Sequence, residues 1–317
     1  MAQQHESNKM EFTTKQGVQL AGYFNMVVRD AKTLEVKRET GWFQNLITDV
    51  GLETIGTRSA FSGCQVGTGS ATPAVTDTIL QARRAATSTQ TPGGDQTSPF
   101  STTSPYWSGY RRTYRFAEGV AAGNLTEVGM SITPSAPWEV FSRALILDNA
   151  GNPTTLTVLL NEVLDVTYEL RTYLMETDSD PSVVNLLGVD YTLVMRGALI
   201  SGGNQHAWPL NGPIQWTNII AYANDMGPAT GAPSGASSSG VGTQQPYIPG
   251  SRKARMTYNF NLTQGNIAGN LPHKSYRMTS PGGGNPTWQA SISPPFPKTD
   301  SITMSLIAEW SWSRRTI

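Results

Sequence analysis

The residues with the most capacity for chemistry are a Gly-x-Gly pair, one cysteine, three histidines, scattered carboxylates and an aromatic–arginine run. The Gly-x-Gly pair, Gly67 and Gly69, lies in CQVGTGSATPAVTDTIL, residues 64–80. A nucleotide P-loop places about four residues between its glycines and then Lys-Ser/Thr, so that amides and an ammonium surround the phosphates. No lysine follows here. A dinucleotide loop needs a third glycine where Thr72 stands. Pro73 also removes an amide and turns Thr72 away from helix. The stretch therefore reads as a strand end at Gln65 and Val66, a turn over residues 67–69 and an extended connector.

His206 in GGNQHAWPL and His273 in NLPHKSY have turn-like surroundings and read as solvated or locally hydrogen-bonded side chains; His5 is the third histidine. Cys64 has no basic neighbour to lower its thiol pKa and reads as a small buried hydrophobe. A single cysteine excludes an intrachain disulfide and a cysteine-based zinc site within one chain. The chain has no His-Glu-x-x-His, calcium-loop or Gly-x-Ser-x-Gly pattern. Glycoside hydrolysis would need two carboxylates at a set separation. Asp148, Glu162, Asp165 and Glu169 are the candidates, but their positions read as a turn and the solvent face of a strand. The sequence thus names no catalytic residue, no metal ligand and no cofactor site.

Aromatic and arginine side chains alternate in YWSGYRRTYRF, residues 106–116. Strand alternation sends Tyr110, Arg112, Tyr114 and Phe116 to one face and Arg111, Thr113 and Arg115 to the other. Such a run can stack on single-stranded nucleic acid, or it can serve a protein interface, where aromatics and arginine are enriched. The interface candidates are Tyr106, Trp107, Arg111 and Arg115, together with Trp208 and Tyr247 from loop-like segments. With 23 basic and 23 acidic residues in 317, no overall attraction to nucleic acid or to an anionic membrane is expected.

The elements that must position these residues are strands. Charged residues make up 15% of the chain, against about 25% in ordinary globular proteins. Gly, Pro, Ser, Thr, Asn and Gln take their place, and these are poor in helix interiors and good in turns. In NEVLDVTYELRTYL, Leu164, Val166, Tyr168, Leu170 and Leu174 alternate with Asp165, Thr167, Glu169 and Arg171, the pattern of a half-buried strand. Ile302, Met304, Leu306, Ala308, Trp310 and Trp312 share a face near the C-terminus, and Val189, Tyr191, Leu193 and Met195 form a third case. LILDNAGNPTTLTVLL reads as a hairpin turning over residues 148–153. Helix is expected in NLITDVGLETIG, with Asn45 as N-cap, although Gly51 costs about 1 kcal/mol there. TDTILQARRAA offers a second short helix capped by Thr76 or Asp77.

Residues 87–109 and 227–250 read as long loops, expected to become ordered against neighbouring chains. RTYRFAEGVAAGNL echoes MTYNFNLTQGNIAGNL, and a long alternating strand follows each. The echo fits either a duplicated unit or a shared local strand habit. The fold class expected is mainly β, with two β-sandwich-like units, long loops and one or two short helices. The units would span residues 1–178 and 183–317. No run of about 18 apolar residues occurs, so no membrane span is expected. The polar start MAQQHESNKMEF does not read as a signal peptide.

Several of these blocks together resemble a recurrent module of tailed-bacteriophage structural proteins. They are TGWFQNLITDVGLETIG, VGTGSATPAVTDTIL, RTYRFAEGVAAGNLTEVGM, FSRALILDNAGNPTTLTVL, EVLDVTYELR and the closing PPFPKTDSITMSLIAEWSWSRR. They run from about Gly41 to the C-terminus, so the resemblance covers most of the chain. It implies a non-enzymatic virion component of the tail (baseplate, fibre or tip), made in the host cytoplasm. The partners implied are other virion proteins and further copies of the chain, with no nucleic acid. No catalytic residue belongs to the pattern. Neck, collar and capsid decoration are the alternatives within the virion. A host-receptor or glycan-binding module is the alternative class, signalled by Trp107, Trp208 or Tyr247 at a loop tip. A glycan hydrolase ranks last.

Overall fold

The computed structural model describes residues 8–57, 61–91, 98–200, 218–279 and 287–315. The chain is mainly β, with 57% strand and ~3% helix. The first strands in chain order are β1 (Asn8–Asp30), β2 (Val36–Ile47), β3 (Gly63–Gly67), β4 (Arg83–Thr87), β5 (Phe100–Ser101) and β6 (Trp107–Phe116). Then come β7 (Gly123–Leu125), β8 (Glu127–Ser131), β9 (Val140–Leu145), β10 (Leu156–Val158) and β11 (Glu162–Leu174). The second series is β12 (Ser182–Leu186), β13 (Val189–Ala198), β14 (Asn218–Tyr222), β15 (Ser237–Gln244) and β16 (Lys253–Phe260). It ends with β17 (His273–Thr279), β18 (Thr287–Phe296) and β19 (Ile302–Arg314). Among the described residues one short helix, α1 (Asp49–Thr54), follows β2, and a 3-10 turn covers Ala268–Asn270.

β1 sets the architecture. Its 23 residues reach roughly 75 Å when extended. Phe12, Val18, Leu20, Phe24, Met26 and Val28 alternate along it and are all buried. Its first part pairs in parallel with β19, from Asn8 opposite Ile302 to Leu20 opposite Arg314. Its second part pairs antiparallel with β11, from Val18 opposite Leu174 to Asp30 opposite Glu162, and with β2 on its other edge. The result is one large curled mixed sheet forming a half-barrel, in place of the two β-sandwich-like units expected from the sequence. Alternation reports which residues share a face. It does not report that one strand carries the hydrogen bonds of both halves.

Within this sheet the pairings recur. β2 bonds to β9, β9 to β8, β8 to β3 and β3 to β4. Beyond β4 the chain reaches β6 through Gln90 opposite Tyr114 and the Thr91 N–H bond to the Thr113 carbonyl, 3.1 Å. β6 then bonds to β11. In the second series β13 bonds to β18, β18 to β17, β17 to β14, β14 to β15, β15 to β16 and β16 to β19. The chain order of corresponding strands is the same in both. The echoing sequences RTYRF and MTYNF lie in β6 and β16, which hold the same place in each series.

Other expectations change where tertiary contacts decide. Asn45 lies inside β2, and the cap of α1 is Thr48. Thr48 Oγ1 accepts the Gly51 N–H at 2.9 Å and donates to the Val140 carbonyl at 2.8 Å. Gly51 is needed because a Cβ there would collide with the backbone of Phe141. Residues 76–82 form turns leading into β4, which takes up residues 83–86, and none of them is helix. Asp77 binds Arg143 of β9 at 2.6 Å and accepts the Ala74 N–H at 2.8 Å, which pins the segment to the sheet. The loop expected over 227–250 contains β15, bonded to β14 and β16. Its Ser- and Gly-rich residues carry little hydrophobic signal for a strand. Within 87–109, β5 and the start of β6 are strand, and residues 92–97 lie outside the described residues. The turn over 148–153 forms, with Asp148 Oδ1 accepting from Ala150 and Asn152, each at 2.9 Å. Its arms pair around Leu147 and Pro153, where the Asp148 N–H bonds the Asn152 carbonyl and the Thr154 N–H the Ile146 carbonyl, each at 2.9 Å; beyond them β10 pairs with β7.

His273, expected to be solvated or locally hydrogen-bonded, is locally hydrogen-bonded but completely buried, in β17. Its Nε2 donates to the Gly265 carbonyl at 2.5 Å, and its Nδ1 lies 3.1 Å from Tyr276 Oη. Burial pushes its pKa from 6.5 down to about 4, so the neutral ring is the folded form. Below about pH 6.5 the unfolded chain therefore binds the extra proton. Stability is intact above that pH and falls as pH drops toward 4, by on the order of 3 kcal/mol in all. Urea denaturation at stepped pH checks this, and His273→Gln should flatten the slope in that window. An unchanged slope in the variant would refute the assignment.

Candidate interaction surface

The outward positions of β2, β1, β11 and β6 line up across four strands. Gln44, Tyr23, Glu169 and Arg111 form one row, and Trp42, Asn25, Thr167 and Thr113 the next. Val27, Asp165 and Arg115 follow on one side, and Ala21, Arg171 and Gly109 on the other. Gln19, Tyr173 and Trp107 make a further row. Each row is a consequence of register, since residues two apart in a strand share a face.

The row centres on Glu169, which is 0% exposed. Arg111 donates to it from Nε at 2.8 Å and Nη2 at 2.5 Å, and Arg171 from Nε at 2.6 Å. A buried carboxylate is costly unless paired and hydrogen-bonded, and two guanidinium groups meet that need. The same bonds hold the guanidinium planes in place. Arg111 lies over the Trp42 ring at 4.9 Å, and Arg171 over Tyr23 at 4.3 Å and Trp107 at 4.2 Å. Arg315 covers Tyr173 at 4.1 Å. Tyr23 and Tyr173 approach through their hydroxyls at 3.4 Å. Burial, and then that contact, push the Tyr23 phenol up to about 12. The Trp42 side chain stays in solvent, with the residue 47% exposed.

The other carboxylates of β11 are held alike. Asp165 accepts from Arg115 Nε and Nη2, both at 2.7 Å, and from Arg29 Nε at 3.0 Å. Its hydrogen bond raises the Arg115 pKa further. Glu162 binds Arg38 and accepts the Leu159 N–H at 2.8 Å. These residues read from the sequence as a solvent face, yet Glu162, Asp165 and Glu169 are buried. Alternation separates the faces, but neighbouring strands decide which of them is covered. Asp148 alone of the four candidates sits in an exposed turn. The three β11 carboxylates are thus committed to arginines of the same chain, and the groups left to contact a partner are aromatic rings and guanidinium edges.

The Gly-x-Gly turn also holds an anion, supplied by the protein itself. Glu127, fully buried in β8, accepts from Gly69 N–H at 3.1 Å, Ala82 N–H at 2.7 Å and Gln81 N–H at 3.2 Å. Arg143 completes the set at 3.0 Å. A Cβ at Gly67 would stand 2.6 Å from Glu127 Oε1, so the glycines make room for this carboxylate. Cys64 is buried beside this turn, and burial raises its thiol pKa.

Of the residues singled out from sequence, Trp107, Arg111 and Arg115 belong to the outward face. Tyr106 flanks it, its carbonyl accepting the Leu174 N–H at 3.0 Å. Tyr247 is elsewhere: it stacks on Trp312 at 5.9 Å, and its hydroxyl accepts the Arg252 N–H at 3.3 Å. Trp208 lies outside the described residues. Tyr23, Trp42, Glu169, Arg171 and Tyr173 complete the face and escaped the sequence reading as interface residues. The alternation of Trp42 and Gln44 with Phe43 and Asn45 would have found Trp42. Among the described residues no helix is long and apolar enough to cross a membrane.

Removing the central carboxylate leaves two arginines without their partner, so Glu169→Ala should cost about 3 kcal/mol of stability. Trp42→Ala removes an exposed ring and one cation–π contact and should cost under about 1 kcal/mol. Urea denaturation of the two variants measures the contrast, and equal losses would mean that Glu169 does not organise the face. Comparison with protein families, with curated proteins and with solved structures finds no match for this chain.

Proposed function

We propose that the protein is a non-enzymatic structural component of a tailed-bacteriophage virion, placed in the tail. It acts by assembly: the face of β2, β1, β11 and β6 docks on other virion proteins or on further copies of the chain. The sequence blocks that resemble phage structural proteins support the family. The observation that carries the assembly role is the Glu169 arrangement, in which a buried carboxylate holds two guanidinium groups against Trp42, Tyr23 and Trp107. Rings and arginines already fixed in place lose little entropy on docking, and tryptophan, tyrosine and arginine dominate the energetics of protein interfaces. The pairing of Glu162, Asp165 and Glu169 with arginine favours a structural role for them over general acid or base work.

A glycan- or receptor-binding role is the second reading, favoured by the exposed ring of Trp42 beside polar side chains. Neck, collar and capsid decoration remain alternative positions within the virion.

The test is to image purified particles and locate and count this chain, then to repeat with Trp42→Ala supplied in trans. The expected result is the wild-type chain in the tail and a folded Trp42→Ala variant that fails to incorporate. Absence of the chain from particles would overturn the virion role. Normal incorporation of the variant would overturn the role of this face.

A further inference from the structure

Glu127, Glu162, Asp165, Glu169 and Arg143 are buried, and each has a partner of opposite charge. Lys298 is buried without one. It is the one buried lysine among the described residues, 3% exposed, in the segment that leads into β19. Lysine is rarely so covered unless it is paired. Its Nζ donates to Asn266 Oδ1 at 2.9 Å and to the Thr299 carbonyl at 2.7 Å, and no carboxylate of the described residues stands at ion-pair distance. Burial lowers the amine pKa from 10.5, and the charge of exposed Asp300 offsets part of that. His273 is the other titratable group that feels this amine, and its ring is neutral in the fold. Residues 261–272, which supply Asn266, contain no titratable side chain. A lysine amine desolvated in this way is a nucleophile.

The carboxamide opposite it is held in place. Asn266 Nδ2 donates to the Leu262 carbonyl at 2.8 Å. The peptide before Asn266 is fixed by His273, whose Nε2 bonds the Gly265 carbonyl. Gly265 has a φ of 79°, and a Cβ there would collide with the Phe260 ring. The amine already touches the carboxamide oxygen. Cγ, one C=O bond of about 1.2 Å beyond that oxygen, is therefore no more than about 4 Å from Nζ. Reacting atoms in a near-attack pair stand about 3–3.5 Å apart, so a shift of under about 1 Å brings these two together.

We propose that the side chains of Lys298 and Asn266 join in an isopeptide bond, made by the folded chain without a second protein. The lone pair of the neutral amine adds to Cγ and forms the Nζ–Cγ bond. The Cγ–Nδ2 bond then breaks, its electron pair leaves with Nδ2, and one proton passes from Nζ to Nδ2, so that ammonia departs. Nothing is oxidised or reduced, and no other reactant is consumed. No carboxylate of the described residues is placed to relay the proton, so the step depends on proximity and is slow. The bond ties the β16–β17 connection to the β18–β19 connection, and β16 and β19 are already paired. β19 carries the first part of β1, so the link secures the strand on which the second series closes. The inference concerns the isolated chain and does not rest on the virion reading.

Intact-mass spectrometry of the purified full chain, followed through incubation at neutral and mildly alkaline pH, is the test. The expected result is a mass short of the sequence mass by one ammonia, with the proteolytic peptides that contain residues 266 and 298 joined. The neutral amine attacks, so the loss should appear faster at the higher pH. Lys298→Arg keeps a cation and removes the amine, and should retain the full mass. Asn266→Ala removes the carbon that is attacked and should retain it as well. A wild-type chain that still has its full sequence mass after prolonged incubation would overturn the proposal, and this measurement decides even where a variant does not fold. An ammonia loss that persists in Lys298→Arg would overturn it too, since cyclisation of an asparagine elsewhere would then be the source.

Discussion

A single strand with two sets of partners constrains everything else in this protein. Backbone amides and carbonyls buried in a sheet must be paired, and β1 meets that demand for both halves. Its first part closes onto β19 and its second onto β11 and β2. Without it, each strand series would present an open edge, and an unpaired edge is a template for unwanted association. The even-numbered side chains Phe12, Phe24, Met26 and Val28 enter the core. Tyr23, Val27 and Arg29 stand on the outer face with the arginines of β6. One periodicity therefore positions both the core and the candidate interaction surface.

Charge burial follows a common solution across the sheet. Glu169, Asp165, Glu162 and Glu127 are all buried, and each is matched by arginine from an adjacent strand or by backbone amides. At Glu127 the glycines let amides reach the carboxylate. At Glu169 the arginines do so, and their guanidinium planes are fixed against aromatic rings in consequence. A stability device and a presentation device are here the same set of bonds. Glu309, the counterpart of Glu169 on β19, is more exposed and pairs with Lys253, so the second series keeps the layout with a looser network.

Much of the strand content was legible because alternation is a local signal. Leu164, Val166, Tyr168 and Leu170 are buried as their spacing indicates, and so are Met304, Leu306, Ala308, Trp310 and Trp312. Trp107, Arg111 and Arg115 were recognisable as surface chemistry for the same reason. β15 was not legible, since SSSGVGTQ lacks an apolar face and is a strand only because β14 and β16 flank it. The second helix was misread because Asp77 has a partner, Arg143, 66 residues away. His273 lies in a polar local sequence, and its burial is imposed by Phe260, Tyr276 and Phe296 packed around it.

The sequence by itself determined the β class, the faces of the long strands, the failure of a nucleotide loop and the turn over residues 148–153. Each of these depends on interactions within a few residues, or on a backbone donor that a proline lacks. Tertiary structure alone decided that the strands form one curled sheet in place of two sandwich-like units, and that the carboxylates of β11 are buried. Those outcomes depend on which strands become neighbours, and strand order is set by the pairing of residues more than a hundred positions apart along β1, β11 and β19.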